Sequence, residues 1–231
     1  MLLSLLLFLW GGALLQAQEK GKTKVLLQRD RIQAQFDTVN CVKNVIKANP
    51  LVFFRGEIPL YYERALTPRL SLELGAGITL RNYIDLSFGG DQVDDIGAGT
   101  DILIRPSFHL ATRYYLVDDI EPQGWYLQLG FSHLEFVRDI NTKGPTGEFT
   151  GEKLRDERIF DDIRLWCGHQ MLASSSNWLW DVYGGLAMRN RSMTVVSEML
   201  DLTNDTYSYS VERKNDVVPA IFLGVRVGLG F

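Results

Sequence analysis

From residue 43 onward, apolar and polar residues alternate with a period of two, in runs that often exceed ten residues. In 101–117, Ile102, Ile104, Pro106, Phe108, Leu110, Thr112, Tyr114 and Leu116 fall on one side, opposite Asp101, Arg105, Ser107, His109, Ala111 and Arg113. A strand turns successive side chains to opposite faces, so this is a strand with one apolar and one polar face. The stretch 70–84 repeats it, with Leu70, Leu72, Leu74, Ala76, Ile78 and Leu80 against Ser71, Glu73, Gly75, Gly77, Thr79 and Arg81. In 178–196, Trp178, Trp180, Val182, Leu186 and Met188 oppose Asp181, Tyr183, Gly185 and Arg189. The pattern predicts eight strands, at about 43–53, 57–66, 70–84, 101–117, 124–139, 159–172, 178–196 and 214–231. No helix is expected among them.

The connections alternate in length. Those at 67–69, 118–123 and 174–177 are short, and those at 85–100, 140–158 and 197–213 are long, with only the tight turn near Arg55 and Gly56 breaking the rule. Short turns on one rim, long loops on the other and an even strand count predict an all-β fold: an eight-stranded antiparallel up-and-down transmembrane β-barrel over 43–231. Alternation alone does not say which face is inside, because a soluble lipocalin-like barrel turns its apolar face inward. Three features favour an apolar outside. The runs exceed the roughly 9–11 residues that cross a bilayer at a tilt. The polar faces mix Gly and Ser with long Arg and Glu, which suits a narrow interior. Aromatic residues gather at strand ends beside the short turns: Tyr61, Tyr62, Tyr114, Tyr115, Trp125 and Trp178. Tyr and Trp favour the headgroup level of a membrane.

By this parity Arg105, Arg113, Arg164, Arg189 and Arg226 point inward with Glu63, Glu73 and Asp181, an expected ionic network of structural character. Eight strands leave an interior just wide enough for side chains, so such a network disfavours an open water channel.

The first 20 residues, MLLSLLLFLWGGALLQAQEK, read as a signal peptide at 1–17 cleaved after Ala17, although no Lys or Arg precedes the apolar run. Residues 18–42 have no clear period and are expected to be a periplasmic linker or short helix. The chain is 231 residues long, 46% apolar, with a formal charge of −4, which argues against a nucleic-acid partner. Cys41 and Cys167 lack metal-ligand spacing; a disulfide is open in an oxidising compartment, but the strand reading leaves Cys41 outside the barrel and Cys167 on its outer face.

The stretch NPLVFFRGEIPLYYERALTPRLSLELGAGI, Asn49 to Ile78, with its Tyr-x-Glu-Arg-Ala strand end, short turn and Leu-rich strand, resembles the opening hairpins of small outer-membrane barrels of Gram-negative bacteria. GVRVGLGF, Gly224 to Phe231, resembles the terminal strand by which the barrel-assembly machinery recognises its clients, with Phe231 as the terminal aromatic. The architecture is similar to the OmpA transmembrane domain and OmpX-like proteins. The resemblance implies an outer-membrane location among lipid and lipopolysaccharide. It carries no catalytic residues, because such families share a scaffold and differ in their loops.

Candidate chemistry is sparse. Ser132, His133 and Glu135 lie close in sequence, but neighbours on a strand face opposite sides, so His133 cannot serve Ser132 as a base. Three histidines without clustered spacing make no metal site. The loop with Asp85, Asp91, Asp94, Asp95 and Asp101 lacks the ligand spacing and closing Glu of known calcium loops. The expectation is therefore a non-enzymatic barrel without cofactor or metal, acting structurally or as an interaction or adhesion surface through its outer loops. A narrow pore or sensor is the alternative, and a lipid-modifying enzyme a more distant one.

Overall fold

The computed structural model describes residues 27–83, 99–145, 147–173, 175–201 and 206–231. The expected leader at 1–17 and the acidic residues Asp85, Asp91, Asp94 and Asp95 lie outside that set. Ile32–Phe231 forms one compact unit; of the other, Met1–Arg31, the described residues include the start of helix α1 (Gln28–Thr38). Helix α1 has Asp30 in its first turn, the favourable end of the helix dipole for a carboxylate, and buries Phe36.

The rest is antiparallel strand. Strand β1 (Asn44–Ala48) is followed by a one-turn helix, α2 (Pro50–Phe53), then β2 (Glu57–Ala65), β3 (Leu70–Thr79), β4 (Thr100–Leu103), β5 (Arg105–Tyr115), β6 (Gly124–Lys143), β7 (Phe149–Leu172), β8 (Trp178–Asp201) and β9 (Thr206–Gly230). The first expected strand, 43–53, is thus cut at Ala48. Asn49 caps α2 by accepting the Leu51 N–H, and Pro50 occupies the first helical turn, where a missing N–H costs nothing. The chain returns to strand through Gly56 at φ +83°, with the Arg81 carbonyl lying where a Cβ would go.

The strands pair in the order β5-β3-β2-β1-β9-β8-β7, and β6 pairs with both β5 and β7, so the sheet closes into a ring. β4 also pairs with β6 and continues the line of β5, which leaves eight positions around the ring. At the closing seam the N–H and C=O of Phe231 are bonded to Asn44 at 2.8 and 3.1 Å. Followed from partner to partner through Val45, Glu63, Glu73, Ala111, Gly130, Arg164, Ala187 and Ala220, the register leads back ten positions further on, level with Arg55. A stagger of that size over eight strands tilts each by roughly 40°.

Two further features differ from the sequence expectation. Leu103 faces Val137 while Ser107 faces Leu134, so one residue is extra on the β4–β5 side, a bulge. Beyond it the faces exchange: Asp101, expected inward, shares a face with Asp139 and meets Lys153 at 2.6 Å. The expected long loops at 140–158 and 197–213 are largely strand, since β6–β7 and β8–β9 run on as ribbons. Over 149–155 and the described residues of 197–213 neither face is buried, which removes the signal that identifies a strand.

The two faces of the ring are inverted relative to a soluble protein. Its outside is apolar and exposed, with Leu60, Leu74, Leu110, Leu129, Leu165, Leu186 and Leu223 among the exposed residues. Its inside is buried and charged. The strand alternation is therefore real, and its apolar side faces outward.

Candidate functional site

One polar side chain from each of the eight ring positions meets at a single level of the interior. They are Lys47 from β1, Glu63 from β2, Glu73 from β3, Arg113 from β5, Gln128 from β6, Gln170 from β7, Asp181 from β8 and Arg226 from β9. All are at most 2% exposed. Lys47 Nζ lies 2.5 Å from Glu63, 2.7 Å from Glu73 and 3.7 Å from Asp181. Arg113 reaches the same three acids at 3.3, 3.2 and 3.0 Å. Arg226 contacts Glu73 at 3.0 Å and Asp181 at 3.6 Å. Three cations face three carboxylates, so the level is neutral within itself.

The amides and hydroxyls occupy the remaining valences. Gln128 donates to Glu73 and accepts from Arg113, at 2.9 and 2.8 Å. Gln170 accepts from Lys47 and Arg113. Tyr115 donates to Glu63 at 2.8 Å and Tyr126 to Asp181 at 2.5 Å, while Ser71 also donates to Glu63. Buried charges are tolerable only when paired and hydrogen-bonded, and here each acid has several donors.

Glycines make room for the aromatic part of this level. Tyr61 faces Gly75, Tyr126 faces Gly168, Tyr183 faces Gly224 and Trp166 faces Gly185 across neighbouring strands. In each pair a Cβ on the glycine would collide with the facing aromatic side chain. Rings lying over their partner glycines present faces to the cations: Arg113 stacks 3.8 Å from the Tyr126 ring centre and Arg226 4.3 Å from that of Tyr61.

Toward the upper rim, where β6 turns to β7, a second level holds Glu57 against His109 at 2.5 Å, and Asp162 against Arg164 and Arg189, both at 2.8 Å. Leu134, Phe136, Phe160, Met193 and Val195 form an apolar layer near it. Beyond lies Asp156, between Arg138 at 2.9 Å and Arg158 at 3.1 Å.

Of the eight residues expected in the ionic network, Glu63, Glu73, Arg113, Asp181 and Arg226 come together. Arg164 and Arg189 belong to the second level. Arg105 stands apart: beside the bulge, opposite Thr79 on β3, it is about one-third exposed and pairs with Glu135 at 3.2 Å instead of joining the network. Sequence reasoning missed Lys47, Glu57, Gln128, Asp162 and Gln170. All five sit at inward parity; Lys47 and Gln128 carry the signal of a polar residue between two apolar ones, whereas Asp161 beside Asp162 and His169 beside Gln170 blur it. Ser132 is buried inside while His133 faces out and meets Asp161 at 2.7 Å, so the two lie on opposite faces. Cys41 and Cys167 are free thiols. No cluster of three or more His, Cys, Asp or Glu suited to a metal occurs among the described residues.

No known family, curated protein or solved structure matches the chain.

Proposed function

We propose that the protein is a small integral outer-membrane β-barrel, eight-stranded and antiparallel, with a packed ionic interior, acting structurally and through its outer ribbons as an interaction surface. The observation that carries this reading is the inversion of the two faces: buried charge from every strand inside, exposed apolar residues outside. Water cannot stabilise that arrangement, since a broad exposed apolar surface drives association. Hydrocarbon can. On β7 and β8 the outer apolar runs, Ile163 to Met171 and Trp178 to Met188, are close to the ~9–11 residues that a tilted strand needs. The exposed Tyr62, Tyr114, Trp125 and Trp178 lie near the short turns, an interfacial girdle in this reading. Outer-membrane lipid, lipopolysaccharide and the assembly machinery are the partners it implies.

The pore alternative has less support, because the neutral eight-residue level fills the ring at one height and the apolar layer fills it at another. The test is fractionation with gel migration before and after boiling. The protein should sediment with outer membranes, resist alkaline extraction and migrate differently once boiled. Recovery in the soluble fraction with identical migration would refute it. Planar-bilayer recordings should show no sustained conductance.

A further inference from the structure

Strand β9 is paired along both edges for only a few residues. Its β8 side is bonded without interruption from Leu229 to Thr206, whereas its other side meets β1 only from Gly230 to Val227. Above Val227 no strand among the described residues pairs with that edge. The bonds at the seam fix which residues face it. Phe231 exchanges both of its backbone bonds with Asn44, and Gly230 donates to Asn177 on the β8 side, so odd-numbered residues of β9 aim their N–H and C=O at the open edge. The unbroken β8–β9 register carries this parity up to Tyr207. Pro219 occupies one of these positions, where its missing N–H leaves the β8 ladder intact. Above Val217 the edge stands on the ribbon, with Val211 itself 54% exposed.

An open edge of this length is a template for strand addition. We infer that it pairs with the same edge of a second copy, antiparallel and centred on Val211, the midpoint of Thr206–Asp216. In that register Val211 opposes itself, Tyr209 opposes Arg213, Ser210 opposes Glu212, Ser208 opposes Lys214 and Thr206 opposes Asp216. No like charges face each other, and the outward N–H and C=O of Tyr207, Tyr209, Val211, Arg213 and Asn215 all find partners. A parallel in-register pairing would instead set Glu212, Arg213 and Lys214 each against itself, a repulsive arrangement. An antiparallel register centred on Arg213 places that guanidinium against its own copy.

The direction of pairing has a consequence that rests on the membrane reading above. Copies in one membrane run β9 the same way, so antiparallel pairing joins copies in two apposed membranes, held roughly 25 Å apart by the overlapped ribbons. The contact is a homophilic adhesion between surfaces.

The experiment uses full-length protein, in a C41S/C167S background, reconstituted into two vesicle populations carrying different fluorophores. V211C should give disulfide-linked dimers containing both fluorophores once the populations are mixed under mild oxidation, and the vesicles should cluster. S208C, whose own copy lies far along the partner strand in this register, should not cross-link. V211P removes only the N–H that faces the open edge, so it should leave folding intact and weaken clustering by about tenfold or more. Protein that floats with vesicles yet gives no two-colour dimer, or dimers confined to one population, overturns the pairing while leaving the barrel standing. Protein that does not float overturns the membrane reading itself.

Discussion

Lys47 and Glu63 meet at 2.5 Å in the interior, and Lys153 and Asp101 meet at 2.6 Å near the upper rim. The two contacts are alike in distance and chemistry. Their surroundings are not: the first pair is fully buried, the second about half exposed. At the rim, water and salt screen the charges, and losing one leaves the other solvated. In the interior each charge has given up its water and depends on its neighbours, so the interior pair is worth little as a pair but a great deal as an intact set. The contrast teaches that fragility here is set by burial, not by contact length.

The largest expected effect comes from breaking that set. Glu73 is the acid shared by Lys47, Arg113 and Arg226. Glu73→Ala leaves three cations with two carboxylates and should cost about 3–5 kcal/mol, as removal of one partner from a buried pair does. Urea unfolding of the refolded protein in detergent measures it. A midpoint equal to that of the rim variant Asp101→Ala would mean that water reaches the interior and that burial does not separate the two regions.

Placing a charge on the wrong face tests the same contrast from outside. Leu110 is exposed on the apolar face and lies opposite Leu74 and Phe131. In the membrane reading Leu110→Arg should cost about 2–4 kcal/mol when stability is measured in lipid. The same change at Leu200, exposed on the β8 ribbon, should be close to neutral. Equal tolerance would deny that the outer face meets hydrocarbon.

A smaller effect tests the fit of rings to glycines. Gly224→Ala puts a methyl into the Tyr183 ring, which is confined beside Trp166 at 5.7 Å between centres and Arg226 at 4.5 Å. The strain should cost about 1–3 kcal/mol. The double change with Tyr183→Leu should recover part of that loss in thermal midpoint. No recovery would place the cost in the backbone.

Face parity alone picks out Glu63, Glu73, Arg113, Asp181 and Arg226, because each stands at an inward position in a run whose other face is apolar. Parity cannot say that these five meet at one level. That depends on the ten-residue stagger, which is a sum over eight registers and leaves no mark in any single strand. Lys47 was hidden for a related reason: β1 is only five residues long, too short for its alternation to stand out, and the apolar LVFF that follows extends the run while forming a helical turn. Arg105 lies beside a one-residue bulge and pairs there with Glu135, and a bulge is invisible to a period of two.

The smallest expected effect lies at the rim. Arg155 donates to both oxygens of Asp139, at 2.9 and 3.2 Å. Those hydrogen bonds, helped by the charges of Arg155 and Lys153, hold the Asp139 carboxyl below its ordinary value despite slight desolvation. A depressed acid contributes stability that is fully present above the unfolded value, near 4, and is lost as pH falls through the folded one. Lys153 shifts the other way, raised by its hydrogen bond to Asp101, so its contribution holds at neutral pH and is lost only as pH rises past its folded value. The rim should therefore be indifferent to pH from about 5 to about 9, loosening in acid as Asp139 takes up a proton and in strong base as Lys153 loses one. Wild type and Asp139→Asn should differ slightly in thermal midpoint at pH 7, and the gap should begin to narrow as pH falls below about 4. A gap that does not narrow at all as pH falls below about 4 would mean that Asp139 acts through packing. A gap at pH 7 as wide as that of Glu73→Ala would mean that the rim is as dry as the interior, and that the two regions are one.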